Sequence, residues 1–295
     1  MHTALQERDD HPEASPAWRT SRNFGRLMTG PVLGRIGSLE VRLARSEQEV
    51  AAAQEVRFRV FYDELGARRS AVHAIEERDA DRFDVLCDHL LVVDTALAGP
   101  DHRRVVGTYR LLRQEIAAAA GGFYSNDEFE LQSLIARHPG QRFLELGRSC
   151  VLKHYRSKRT IEALWQGIFA YIRHYGIGVM TGCGSLHGTV PAAHAEALSY
   201  LAHCCRAAPE WDVRAVPSRY CSMDLMPAEA VNAKSAIAAL PPLIKGYLRV
   251  GARIGDGCVV DHDFATTDVF IILPVSAISS RYVNYYGPEA ERFAA

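Results

Sequence analysis

The stretch FLELGRSCVLKHYRSKRT, residues 143–160, decides the fold. Its first half is largely apolar, as in a β-strand, yet Glu145 and Arg148 sit at its centre. It then runs into Arg156, Lys158 and Arg159, just ahead of a helical pattern over 161–175. There Leu164, Ile168, Ile172 and Tyr175 fall on one stripe, with Thr160 as the expected N-cap and Gly176 beyond the end. The stretch therefore predicts a strand, a basic turn and a helix.

In a regular strand Glu145 and Arg148 face opposite sides. Gly147 lies between them, and a glycine inside a strand often marks a bulge. A bulge there turns both side chains to one face and releases backbone N–H groups from the ladder. Such donors can hold a carbonyl oxygen that becomes negative during acyl transfer. A helix N-terminus flanked by Arg156, Lys158 and Arg159 suits a phosphate or phosphodiester. The alternative for these three residues is a solvated basic turn.

Outward from this unit, LEVRLA (39–44) alternates as a first strand. Ser46 and Glu49 form a capping box for a helix that runs to about Leu65 and stops at Gly66. Arg57 and Phe61 lie on its apolar stripe, one turn apart. IEERDADRFD (75–84) is an acidic loop, and strands follow at 89–95 and 104–113. VMTGCGSL (179–186) reads as a short buried strand. Pro191 suits the first turn of a helix to about Cys205. RYCSMDL (219–225) reads as a further strand, 228–239 as a weak helix, LIKGYLRVG as a short helix, and CVVDHDFATTDVFIILPV as one or two strands around an acidic turn. The order predicts an α/β (α+β) fold with a mixed central β-sheet flanked by helices. Residues 1–36, polar and rich in proline, are expected to be a flexible leader, and 37–287 one domain.

The chain has 295 residues, 48% of them hydrophobic, and a net charge of −1, which excludes a strongly basic nucleic-acid binder. Its seven cysteines show neither zinc spacing nor a dense disulfide framework, which points to free thiols in a reducing cytoplasm. The N-terminus lacks the apolar core of a signal peptide, and no apolar run approaches the ~20 residues of a membrane span. Any membrane role is therefore expected to be peripheral.

The strand, turn and helix resemble the GNAT acyltransferase superfamily. That superfamily usually carries a glycine-rich turn for the pyrophosphate of coenzyme A, where this chain has Arg156-Ser-Lys-Arg-Thr. The departure points to a phosphopantetheine on acyl carrier protein, whose single phosphodiester basic side chains can serve. Upstream, Arg57 with Phe61, Asp81-x-Phe83-Asp84, Gly107-x-x-Arg110-Leu111 and Glu145-x-x-Arg148 are similar, in the same order, to the acyl-homoserine-lactone synthases. A Trp typical of those enzymes is Ala67 here, which weighs against a nucleoside co-substrate. Residues 240–275 resemble the ornithine–acyl-carrier-protein N-acyltransferases and their hemolysin-like relatives.

The resemblance implies transfer of a 3-hydroxyacyl group from acyl carrier protein to the α-amino group of L-ornithine, giving lyso-ornithine lipid. It implies no bound cofactor and no metal. Glu145 is the expected base, directly or through water, with Arg148 as the second catalytic candidate; the alternative is a structural ion pair of the two. Arg57 or Arg110 is suited to the ornithine carboxylate, and Asp81 and Asp84 to its δ-ammonium. Phe61 would pack on the acyl chain or pantetheine arm. Asp261, Asp263 and Asp268 around His262 form either a wall of the amino-acid site or simple turn chemistry. Arg156, Lys158 and Arg159 are the expected dock for the acidic carrier. LPPLIKGYLRVG is either a lipid-facing segment at the inner face of the cytoplasmic membrane or a core helix. Other acceptors, a lactone product and a non-catalytic membrane-active protein are the remaining alternatives.

Overall fold

The computed structural model describes residues 31–69, 75–282 and 285. Eight strands form one sheet: β1 (Gly34–Ile36), β2 (Leu39–Leu43), β3 (Asp88–Asp94), β4 (Val105–Arg113), β5 (Phe143–Val151), β6 (Val179–His187), β7 (Arg253–Asp261) and β8 (Thr266–Pro274). Their spatial order is β1-β2-β3-β4-β5-β6-β8-β7. Every pair is antiparallel except β5 and β6. Parallel neighbours need a crossover, and helix α4 (Lys158–Tyr175) supplies it; α1 (Glu47–Phe58), α2 (Gln114–Ala119), α3 (Leu131–Arg137), α5 (Ala195–Cys204), α6 (Ala233–Ala239) and α7 (Pro242–Val250) complete the helices used here. The mixed sheet flanked by helices is the architecture expected from the order of elements.

Alternation along the central strands builds a core on each face of the sheet. Leu144 and Met180 join α4 and α7 on one face, while Phe143 and Val179 join Phe129, Leu134 and Phe270 on the other. Helix α4 lies directly on β2: a Cβ at Gly167 would stand 2.4 Å from Val41 Cγ1. Any side chain there would push the helix off the sheet.

Two irregularities in the sheet create the functional geometry. First, β5 and β6 pair only from Phe143 opposite Val179 to Glu145 opposite Thr181. Beyond that point β5 continues along β4, and β6 continues along β8. The two strands splay into a wedge, and the edges that face it have no ladder partner. Second, Arg110 pairs with Gly147 but Thr108 with Cys150, so Arg148 and Ser149 oppose Tyr109 alone. This is the expected bulge, displaced by one residue. Gly147 is not its strained member; Arg148 is, at φ 51°. A left-handed arginine costs on the order of 1–3 kcal/mol and persists only where its surroundings hold it.

Several expectations are corrected. β1 begins at Gly34 and pairs with β2, so the expected leader overruns the sheet; residues 1–30 lie outside the described residues. Helix α4 starts at Lys158, and its N-cap is Ser157, whose Oγ accepts from the Thr160 N–H at 3.3 Å. Thr160 is buried and its hydroxyl donates to the Tyr155 carbonyl. The helix after Ser46 keeps its α form only to Phe58 and widens to a π-helix over Arg59–Glu64. No strand forms over 219–225; Cys221 makes a single bridge to Cys258, where β7 bulges at Gly257. In α7, Ile244, Tyr247 and Val250 pack into the core. Its apolar face is therefore turned inward, not toward lipid.

Candidate active site

The wedge opens into a cleft of about 1170 Å³, open mouth included. Glu145, Gly147, Arg148 and Ser149 form one wall; Thr181, Gly182, Cys183 and Ser185 form the other. Phe61 and Leu65 enter from the π-turn, Leu243 and Tyr247 from α7, and Phe264 from the β7–β8 turn. The aromatic and aliphatic side chains of these entering elements give an apolar surface for an acyl chain, beside polar strand walls that hold Glu145, Arg148, Thr181 and Ser185.

Glu145 is buried at the apex. Its Oε2 accepts from the Tyr124 N–H and its Oε1 from the Ser125 N–H, both at 2.9 Å. Burial pushes its pKa up, against the pull of those N–H donors and of Arg110. Each carboxylate oxygen keeps a further lone pair, so the group can take a proton from a molecule in the cleft. The ion pair with Arg148 does not form. Arg148 instead bonds Asp79 Oδ2 at 3.1 Å and Asp81 Oδ2 at 3.3 Å, with its guanidinium against the rings of Tyr124 and Phe264.

Behind this wall lies a charged network. Arg57 is 0% exposed. It bonds Asp79 Oδ2 at 2.8 Å and both oxygens of Asp84 at 2.7 and 2.9 Å, and donates to the Asp79 carbonyl. Arg110 bonds Asp81 Oδ1 at 2.6 Å and stacks on Phe83 and Tyr124. Arg57, Arg110 and Arg148 thus face Asp79, Asp81 and Asp84, and the cluster is formally neutral. Burial alone would raise Asp79 and Asp84, but the neighbouring guanidiniums outweigh it and hold both carboxyls below the usual range. Arg57 is not a carboxylate clamp: its donors are spent inside the protein. Asp84 is likewise occupied, by Arg57, Gln54 and the Asp81 N–H. Asp81 is partly exposed but committed to Arg110 and Arg148. Of the two arginines expected to meet a carboxylate, only Arg110 lines the cleft.

The basic turn is elsewhere. Arg156 bonds both oxygens of Glu64 and the Val151 carbonyl, Lys158 reaches Glu162 at 3.5 Å, and Arg159 is exposed. Glu64 directly precedes Leu65 of the cleft, so the turn borders the cleft without lining it. At the far end of the wedge, Asp261 and Asp268 line the cleft, whereas His262 and Asp263 are exposed beside it. Asp261 Oδ1 also closes the turn, accepting from the N–H groups of Asp263 and Phe264 at 2.8 and 3.0 Å. Ala67 is buried against Phe58 and Tyr62.

Sequence reasoning missed Asp79, Tyr124, Ser125 and Glu128. Asp79 had a signal: the loop ERDADRFD holds the carboxylates that the three arginines need. Tyr124, Ser125 and Glu128 had none, because long-range packing of the segment between β4 and β5 brings Tyr124 into the cleft and sets Ser125 and Glu128 behind its lining, against Glu145 and Cys183. Cys183 donates to Glu128 Oε2 at 3.3 Å, and burial holds its thiol far above the usual range, so it is a donor and not a nucleophile.

The family model of the acetyltransferase (GNAT) domain matches residues 56–166, from α1 into α4. A protein of Brucella abortus (strain 2308) named L-ornithine N(alpha)-acyltransferase is 63% identical over 262 residues, covering 89% of this chain and 93% of that protein. One of the same name from Rhizobium meliloti (strain 1021) is 58% identical over 264 residues, covering 90% of this chain and 89% of that protein. Among solved structures, FeeM, an N-acyl amino acid synthase from uncultured soil microbes, aligns with a TM-score of 0.46 at 11% identity, over 81% of this chain and 91% of that one.

Proposed function

The chain belongs to the L-ornithine N(alpha)-acyltransferases of the GNAT superfamily, and from that premise we propose that it moves a 3-hydroxyacyl group from acyl carrier protein to the α-amino group of L-ornithine. The observation that carries the mechanism is the buried Glu145 carboxylate at the apex of the β5–β6 wedge. The thioester and its pantetheine arm lie in the wedge, along the open edge of β5. The α-ammonium of the acceptor loses a proton to Glu145, directly or through one water. The neutral amine attacks the thioester carbon. Charge collects on the carbonyl oxygen and is received by backbone N–H groups at the Arg148–Ser149 bulge. The C–N bond forms and the C–S bond breaks; the leaving pantetheine thiolate takes the second proton of the attacking nitrogen, and Glu145 returns the first to solvent.

Arg110 is the residue for the ornithine carboxylate, steadied by Asp81. Arg148 shapes the wall and positions Tyr124. The turn of Arg156, Lys158 and Arg159 docks the acidic carrier near its phosphodiester by charge complementarity. The free cysteines of the chain suit a reducing cytoplasm. The product is an amphiphile, a lyso-ornithine lipid, which calls for peripheral contact at the inner face of the cytoplasmic membrane. No helix among the described residues is long and apolar enough to cross a membrane.

Purified protein given 3-hydroxyacyl carrier protein and single amino acids, with products read by mass spectrometry, tests this reading. N-acylornithine acylated on the α-nitrogen is the expected product. Transfer to a different amine moves the substrate, and transfer to none, with folded protein and active donor, ends the proposal.

A further inference from the structure

At the far end of the cleft three carboxylates converge. One oxygen from each of Glu128, Asp261 and Asp268 lies within 4.8 Å of the others. Asp268 is 6% exposed and lines the cleft; the hydroxyls of Ser185 and Thr266 bear on its carboxylate, yet its buried Oδ1 has no donor in hydrogen-bond geometry among the described residues. One guanidinium faces the three carboxylates: Arg219 meets Glu128 Oε1 at 3.2 Å while Cys183 donates to Glu128 Oε2, and Arg148 is committed to Asp79 and Asp81, which leaves Asp261 and Asp268 without a cation among the described residues. A buried carboxylate oxygen without a donor is costly unless a ligand brings one.

Resting on the proposed acceptor, we infer that Glu128, Asp261 and Asp268 bind the side-chain ammonium of ornithine and thereby select a diamino acid. An ammonium has three N–H donors. With N···O contacts of about 2.8 Å it reaches three oxygens about 4.6 Å apart, which fits the cluster. The spacing along the strands fits as well. Thr181 pairs with Glu145, and Cys183, two residues along β6, touches Glu128. Two strand residues span about 7 Å. The two nitrogens of ornithine, joined through five bonds of about 1.5 Å, stand on the order of 6 Å apart when extended. The α-nitrogen can thus lie at Glu145 while the side-chain ammonium lies among the carboxylates. Asp81 and Asp84, the residues expected to do this, are held by arginines instead.

The test compares ornithine with norvaline, which has the same carbon chain without the side-chain ammonium. Wild type is expected to favour ornithine by about 10⁴-fold in kcat/KM, the range for a site left with unpaired buried groups. Glu128→Gln combined with Asp268→Asn is expected to bring that ratio to within about tenfold of one, mainly through KM for ornithine. Asp261→Asn, at a partly exposed position, is expected to lower it less and guards against a misfolded double variant. Variants that acylate ornithine with the wild-type ratio overturn the subsite alone. A wild type that does not distinguish the two amino acids overturns it without any variant. A wild type that acylates no cationic amino acid overturns the functional proposal and the subsite together. Stabilisation of the protein by Mg²⁺ or Mn²⁺ but not by ornithine assigns the cluster to a metal and overturns the inference.

Discussion

At the residue scale, the site rests on carboxylates in contrasting settings. Glu145 is buried among apolar residues and held by two N–H donors; Asp79 and Asp84 are buried among guanidiniums. Burial holds the first above the usual carboxylate range, and the guanidiniums lock the others as anions. Arg57 joins Asp79 to Asp84 in that locked pair. Its replacement by Met leaves two buried carboxylates short of their main partner and is expected to cost about 3–5 kcal/mol in urea unfolding. A change below about 1 kcal/mol, typical of an exposed pair, would refute the buried network. Arg57 also shows where the sequence stops being legible. Its place on an apolar stripe marked it as unusual, but a spacing pattern cannot say whether a guanidinium turns to substrate or to a neighbouring aspartate. That depends on the path of the loop over 75–84, which nothing local dictates.

At the element scale, the wedge between β5 and β6 makes the cleft. Its apex is set where Gly182 meets the β5 backbone: a Cβ there would stand 2.3 Å from the Leu146 carbonyl oxygen. Backbone cannot give way cheaply. Gly182→Ala is therefore expected to shift the strands apart, cost about 1–3 kcal/mol, and lower kcat/KM at least about tenfold. Wild-type kinetics in that variant would show that the pairing does not shape the site. The basic turn belongs to this scale too. Reversing Arg156, Lys158 and Arg159 to glutamate is expected to raise KM for the carrier about tenfold or more and to flatten its salt dependence. An unchanged KM removes the docking surface. The strand, turn and helix of 143–175 were legible because alternation, a basic turn and a helical stripe follow one another there. The bulge was legible only in part. Gly147 signalled it, yet the strain falls on Arg148, which is held in place by Asp79, Asp81 and two aromatic rings. The missing strand at 219–225 has a similar cause, since its pairing depends on a bulge in the distant β7.

At the scale of the whole molecule, the two groups of carboxylates give stability a peak in pH. Burial, and then the charge of its neighbours, raises Glu128 to about 7; burial raises Asp268 to about 6. Groups raised in the folded state contribute stability that is full below their unfolded values near 4. That contribution falls as pH rises above about 4 and is gone once pH passes about 6 for Asp268 and about 7 for Glu128. Asp79 and Asp84 are lowered, so their contribution is present above about 4 and lost on further acidification. Tm without substrate is therefore expected to peak near pH 4, and Glu128→Gln to exceed wild type at pH 8 but not at pH 4. A Glu128→Gln difference independent of pH would contradict the raised carboxyl. The central claim is that one buried carboxylate in the wedge takes the proton from the amine. It is tested most directly by the steady-state rate of Glu145→Gln with 3-hydroxyacyl carrier protein and ornithine, beside a thermal melt of the same sample. A loss in kcat of about 10²–10⁴ with a folded protein and little change in either KM is the predicted result; a folded variant that turns over at the wild-type rate would contradict it.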